Sequence, residues 1–403
     1  MQPEESSRSP RSDVLVYASV ATAARSATEA VGPALLLAAL ASERADGDGA
    51  ALVAAFTGLA AVAGPVVGAL LDRTARPGRI VTGAVALMAS SVAALGILVA
   101  TAPLPLLLVI AALGGLAYPA LTGGLTSQLP WIVSGPRLDR AYGVDAATYN
   151  VGAIVGPPAA AACLVLGRSG PVVFLLVLLL IALPLVPRIP FPVREPAEDR
   201  PSLSRDLTTG FRALVSTPSL AYATVLTTVG FAGQAAFLVT VPLLTEAQTG
   251  SLAASGWVFG GAAVGGLVTT VLVTRRPLQH LDRGLSLTTA GIGVSLLALA
   301  LSPSFAVTVA AAVAFGAFEG PLLTALFRIR TREADPAVRS AVFTTAASLR
   351  TTAYAGMTAV FGALLGLGTT TLLLLGVGFQ VLAFLTAWWS YAAAARRVSA
   401  RPT

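Results

Sequence analysis

Apolar residues along this chain fall into long unbroken runs separated by short polar connections. Runs of about 20 residues match the roughly 30 Å hydrocarbon core of a bilayer at 1.5 Å rise per residue. Twelve are found, near 14-40, 50-71, 80-101, 104-126, 141-166, 171-187, 218-245, 252-273, 285-302, 304-327, 340-366 and 370-395. Such runs are predicted as helices, because an isolated strand leaves its backbone groups unsatisfied in hydrocarbon. The alternating ten-residue segments of a membrane barrel are absent. The sequence Ala38 to Ser42 resembles a signal-peptidase site, but the preceding run is too long for a signal-peptide core and holds Arg25 and Glu29, so a retained first span is expected.

Composition agrees with the pattern. Of 403 residues, 55% are apolar and 11% charged, against roughly 25% charged in soluble domains. That is too little charge to cover a water-soluble surface. One cysteine, Cys163, and one histidine, His280, exclude a disulfide framework and a Cys/His metal cluster. Cys163 reads as small apolar filler and His280 as a solvated loop residue.

All 26 basic residues are Arg, and their placement explains the net charge of +7. With the termini and even-numbered connections on one side, 22 fall there: Arg8, Arg11, Arg73, Arg76, Arg79, Arg137, Arg140, five between Arg188 and Arg212, Arg275, Arg276, Arg283, Arg328, Arg330, Arg332, Arg339 and three from Arg396 onward. Only Arg44 and Arg168 fall opposite, while Arg25 and Arg350 lie within spans. By the positive-inside rule both termini are cytoplasmic. This order disposes of nucleic acid as the reason for the charge.

The longest connection, 188-217, is rich in Pro and charge and divides the spans six and six. The expected domains are therefore 1-187, a cytoplasmic linker 188-217, and 218-403. Internal similarity supports a duplication. Pro33 and Pro242, each followed by apolar residues, are 209 positions apart; Pro119 and Pro321, each followed two residues on by Leu and Thr, are 202 apart. Repeats about an axis along the membrane normal, with a site between them, are a transporter architecture.

After span 2 stand Gly68, Asp72, Arg73, Arg76 and Arg79. Gly68 permits close helix approach, and an acid at a helix C-terminus opposes the dipole and needs a partner. The spacing resembles the signature between spans 2 and 3 of the major facilitator superfamily. That resemblance implies a cytoplasmic gate in which the acid holds two halves together; a plain basic loop is the alternative. The corresponding place after span 8, Val273 to Arg276, lacks the acid. Span 5 carries Gly143, Gly152, Gly156 and Pro157, then Ala160 and Ala161. This resembles the fifth-span motif of the drug:proton antiporter branch, with Ala-Ala for a final Gly-Gly. The small residues suit close helix packing and the prolines a bend, so these four are the candidate hinge. The branch's usual span 4 Arg is missing, since 104-126 holds no charge.

The resemblance implies an all-α membrane protein of the major facilitator fold. It would have 12 transmembrane helices in two six-helix pseudo-repeats and both termini cytoplasmic, and act as a monomer in the cell membrane without cofactor or metal. Charges inside spans are the most informative residues. Arg25, Glu29, Glu319 and Arg350 lie about 13 to 22 Å from the cytoplasmic ends of their spans at 1.5 Å per residue, and Asp145 sits nearer the cytoplasmic face. Each costs about 2.5–3.5 kcal/mol to insert, so pairing or function is implied. Arg25 and Glu29 are four apart on one helix, and Arg25 and Arg350 are the expected partners of Glu29 and Glu319. A closed set of structural ion pairs is the alternative. In the resembled fold spans 1, 4, 7 and 10 line a central cavity, which adds Gln234 and Tyr118 as candidates for proton or substrate binding; Tyr149 and Asn150 of span 5 are further candidates, with helix packing the alternative for the two tyrosines and Asn150.

The expected function is a secondary active transporter, exporting a small, partly apolar molecule against protons by alternating access. An importer or facilitator of a polar nutrient is the alternative. No nucleotide-binding loop ending in Lys is present, so no ATP-driven step is expected. An enzyme would need a nucleophile with a base or a metal set that the sequence does not offer.

Overall fold

Each predicted span but the fourth, 104-126, corresponds to one helix in the computed structural model, which describes residues 10–133, 137–191, 203–275, 280–335 and 338–399. In order these are α1 (Pro10–Ala41), α2 (Asp46–Arg73), α3 (Pro77–Leu98), α4 (Leu104–Pro119), the short α5 (Leu129–Ile132), α6 (Leu138–Ala162) and α7 (Gly170–Ala182). There follow α8 (Leu203–Ser216), α9 (Pro218–Thr249), α10 (Ser255–Arg275), α11 (Leu281–Ala300), α12 (Phe305–Glu333), α13 (Arg339–Ala363) and α14 (Thr369–Ser399).

Among the described residues, ten helices are long and apolar enough to cross a membrane. The long helices outside that set are α1 and α13, which carry Arg25, Glu29 and Arg350. Interior charge, rather than length, sets them apart: at 32 and 25 residues both exceed a bilayer core.

The packing pattern before residue 191 recurs after residue 203. α1 packs on α6 and α7, α2 on α4, and α3 on α4 and α7; likewise α9 packs on α13 and α14, α10 on α12, and α11 on α12 and α14. Between these sets the contacts run mainly through α2 with α13 and α6 with α10. Both pairs touch most closely at the end of the bundle that is poor in arginine. A Cβ on Gly47 would lie 2.8 Å from the Gly362 carbonyl oxygen, and one on Gly260 would lie 2.9 Å from Pro158. At that end Arg44 pairs with Asp48 at 2.7 Å and donates to the Val99 and Ala102 carbonyls at 2.9 and 3.0 Å, capping α3. Toward the arginine-rich end α2 and α13 part. Nothing lies within 4 Å of a Cβ on Gly64 or Gly68, so Gly68, expected at a close approach, borders open space instead.

Two features differ from the sequence reading. First, 104-126 is not one helix: α4 stops at Pro119, a π-turn spans Ala120–Gly124, and Thr122 sits outside helical geometry at φ −101°, ψ −106°. Pro119 removes a backbone donor and Gly123 with Gly124 cannot restore the helix. Pro321, followed by Leu, Leu, Thr and Ala, leaves α12 continuous. Second, the connection 188-217 contains α8, whose buried Leu214 packs with Leu220, Val342 and Ala346; residues 192–202 of it lie outside the described ones. α6 runs unbroken through Pro157 and Pro158.

α10 and α12 are seated by glycines at backbone contact: a Cβ on Gly265 would strike the Val313 carbonyl, and one on Gly316 that of Ala262. Gly265→Leu is therefore expected to destabilise the fold by about 1–3 kcal/mol or more, read as a lowered thermal midpoint in detergent. An unchanged midpoint would contradict this packing.

Candidate functional site

The interior of the bundle holds a cavity of about 550 Å³ between α1, α2, α4, α6, α9, α10, α12 and α13. Its wall is largely aromatic and small, with Phe56, Phe237, Phe259 and Phe315 among the lining residues. Three charged residues line it: Glu29 from α1, Glu319 from α12 and Arg350 from α13. Glu29 and Glu319 lie close enough to feel each other's charge, as do Glu319 and Arg350. Among the described residues none of the three makes an ion pair within 4 Å. Arg350 instead lies over the Phe231 ring at 4.3 Å, and Phe231 stacks on Tyr354 at 4.5 Å. Gln234, Asn150 and Tyr118 also line the cavity, and Tyr118 meets Phe56 edge to face at 6.0 Å.

Arg25 is elsewhere. Its guanidinium, 0% exposed, pairs with Asp145 on α6 at 2.7 Å rather than with Glu29. Nη1 also donates to the Asp145 carbonyl at 2.8 Å and to Thr148, and Nη2 donates to Thr126 at 2.8 Å. Asp145 accepts from Tyr17 at 2.5 Å and from Thr126 at 3.0 Å. The Arg25 guanidinium lies 3.6 Å over the Tyr149 ring. Arg25, Asp145 and Tyr149, expected to face the central cavity, thus form a buried clamp outside its lining, joining α1, α6 and the residues after the π-turn. The reason is geometric: Arg reaches past its own helix, and an Arg placed before a Glu four residues on is poorly aimed at it. Gly152 and Gly156 make the clamp possible. A Cβ on either would lie 3.0 Å from the Arg25 backbone or 2.5 Å from the Ser26 carbonyl, so they seat α1 against α6. Gly143 meets nothing within 4 Å, and Pro157 lines the cavity.

A second chamber of about 470 Å³ lies toward the arginine-rich end. Ala60, Tyr118 and Thr351 line both spaces, so the two adjoin. Gly68 borders the lower chamber. Asp72 lies in the last turn of α2, and its side chain is outside the described ones; Arg73, Arg76 and Arg79 are exposed. No group of three or more His, Cys, Asp or Glu that could hold a metal occurs among the described residues.

A cavity walled by helices of both packing sets, tight at one end and parted at the other, is the geometry of a solute path. The sequence matches the model of the Major Facilitator Superfamily over residues 17–351. The chain belongs to that superfamily.

Family and fold are those of transporters, not enzymes. Solved structures agree at the level of the fold. The nucleoside transporter NupG is 11% identical with a TM-score of 0.72, covering 95% of this chain and 99% of that one. A POT family transporter in complex with 5-aminolevulinic acid is 10% identical at 0.71, covering 95% and 96%. A bacterial homolog of the human lysosomal transporter Spinster, in an inward-facing and unoccupied conformation, is 14% identical at 0.69, covering 99% and 100%. No curated protein matches by sequence.

Three residues of this superfamily member's interior went unread in its sequence. Tyr354 and Phe231, which sandwich with Arg350, carry no signal apart from lying one turn from Arg350 and Gln234. Arg330, counted with the loop arginines, is buried at 2% exposure, because α12 runs on to Glu333 beyond its apolar run.

Proposed function

We propose that this superfamily member is a proton-coupled exporter of a small, partly apolar solute, of the drug:proton antiporter type, working by alternating access. Twelve helices span the cell membrane, α1 and α13 joining the ten most apolar ones, with both termini cytoplasmic. Residues 1-187 and 218-403 form two six-helix repeats joined by 188-217. The observation that carries the coupling is the pair Glu29 and Glu319, carboxylates without an ion pair on opposite walls of one cavity, with Arg350 the one cation on its lining. Arg350 drawn toward Glu319 releases a proton, and Arg350 held on Phe231 permits one to bind. The aromatic wall favours a partly apolar solute.

The importer reading draws support from the amides of Asn150 and Gln234 in the same cavity, which suit a polar solute. Counterflow of candidate solutes in proteoliposomes with an imposed pH gradient separates the two. Export predicts accumulation driven by the gradient and dependent on both carboxylates; a facilitator predicts exchange indifferent to either.

The clustered contacts at the arginine-poor end and the open space at Gly64 and Gly68 fit a state open to the cytoplasm. In the opposite state α2 and α13 close there, and Asp72 with Arg73 becomes the gate. Asp72→Asn is expected to slow turnover by about tenfold, equivalent to about 1.4 kcal/mol, while solute binding to the purified protein stays measurable. Unchanged turnover would remove that role.

A further inference from the structure

Among the described residues Arg330 is a charge without a counter-charge. Its Nε and Nη2 have no hydrogen-bond partner, the guanidinium lies over the Phe343 ring with its centroid 5.9 Å away, and among the described residues no acidic one lines the lower chamber that Arg330 borders. Arg350 is close enough to add its own positive charge. A guanidinium does not shed its proton, and holding one unpaired in a low-dielectric interior costs several kcal/mol.

The two free atoms matter by their position. Nε–H and Nη2–H point in parallel along one edge of the guanidinium, the edge that grips a carboxylate or phosphate through two bonds. Arg25 offers the contrast. It too has an unbonded Nε, but both its Nη atoms are held by Asp145, Thr148 and Thr126, so it serves structure. Arg330 has its whole gripping edge free beside a chamber of about 470 Å³ whose wall also carries Thr122, Ser127 and Ser348.

We infer that the lower chamber is an oxyanion station, in which the Nε/Nη2 edge of Arg330 takes a carboxylate or phosphate group as α12 and α13 shift to uncover it. This rests on the reading of the interior as a transport path, since Ala60, Tyr118 and Thr351 join the chamber to the central cavity. The free edge is enclosed here, so binding requires the movement that alternating access supplies.

The test uses the full chain in neutral detergent, with no gradient, so its failure leaves the transport reading standing. Thermal midpoints are titrated with benzoate and with benzamide, its neutral analogue. Benzoate is expected to stabilise the wild type and benzamide not. Arg330→Gln should weaken the apparent benzoate affinity by about tenfold or more, as expected for a lost charge-assisted pair, while Arg330→Lys retains part and Arg350→Gln retains most. Removing an unpaired buried charge should leave Arg330→Gln folded, with a probe-free midpoint at or above that of the wild type. Repeating the titration in phosphatidylcholine nanodiscs with and without phosphatidylglycerol assigns the source. Persistence of the benzoate response supports a dissolved solute; its loss with the anionic lipid supports a lipid headgroup on the same edge. A wild type that does not distinguish benzoate from benzamide, or an Arg330→Gln variant that responds like the wild type, overturns the inference.

Discussion

Replacing Glu29 and Glu319 together with Gln is expected to abolish transport driven by an imposed pH gradient, while exchange of labelled for unlabelled solute continues. Gln preserves the size and hydrogen-bonding reach of each side chain but cannot take up or release a proton at physiological pH. Each single substitution should lower gradient-driven transport by about tenfold or more, the factor that corresponds to 1.4 kcal/mol. Glu319→Gln should be the more damaging, because Glu319 is the acid that interacts with Arg350 and Glu29 lacks an opposing Arg on the cavity wall. Losing exchange along with coupling would place both residues in solute binding instead. Gradient-driven accumulation at the wild-type rate in the double variant would sink the coupling.

The second large effect concerns the clamp at Arg25. Removing one partner of a buried ion pair strands the other charge, and such changes cost about 3–5 kcal/mol. Asp145→Leu alone should therefore lower the thermal midpoint sharply, since it leaves Arg25, fully buried, facing two threonines and an aromatic ring. Arg25→Met alone should do likewise. Combining the two should recover most of the loss, because an apolar pair of similar volume needs no desolvation. Tyr17→Phe, which removes one hydrogen bond to Asp145, should cost about 1 kcal/mol. Full stability in Asp145→Leu with impaired transport would move the clamp from scaffold to mechanism.

Much of the helical framework was legible because lipid imposes a length on apolar runs, and every run except 104-126, which breaks after Pro119, corresponds to one helix. Positions along a helix were legible too, which is why Glu29, Glu319 and Arg350 could be named. Rotation about the helix was not: the i, i+4 spacing of Arg25 and Glu29 is a one-helix argument, and the partner that decides Arg25 comes from α6, 120 residues on. Arg330 was hidden for a different reason. A hydropathy run ends where charge begins, but α12 ends only at Glu333, and its last turns pass beside α13 inside the bundle. Pro119 was visible as an element of the repeat, while its break into a π-turn depended on the Gly pair that follows it and that Pro321 lacks. α8 lay within a connection read as a Pro-rich, charged linker, although its apolar positions Leu203, Leu207, Phe211 and Leu214 already share one helical face.

The central claim is that Glu29 and Glu319 carry protons against a moving solute in one cavity. It is tested most directly by a pH-sensitive dye sealed inside proteoliposomes that hold a solute gradient and no pH gradient. Solute leaving the lumen should draw protons in and acidify it in the wild type, and should leave the pH unchanged in the Glu29→Gln, Glu319→Gln double variant while solute still exchanges. Solute efflux through the wild type without any change in lumenal pH would contradict the account.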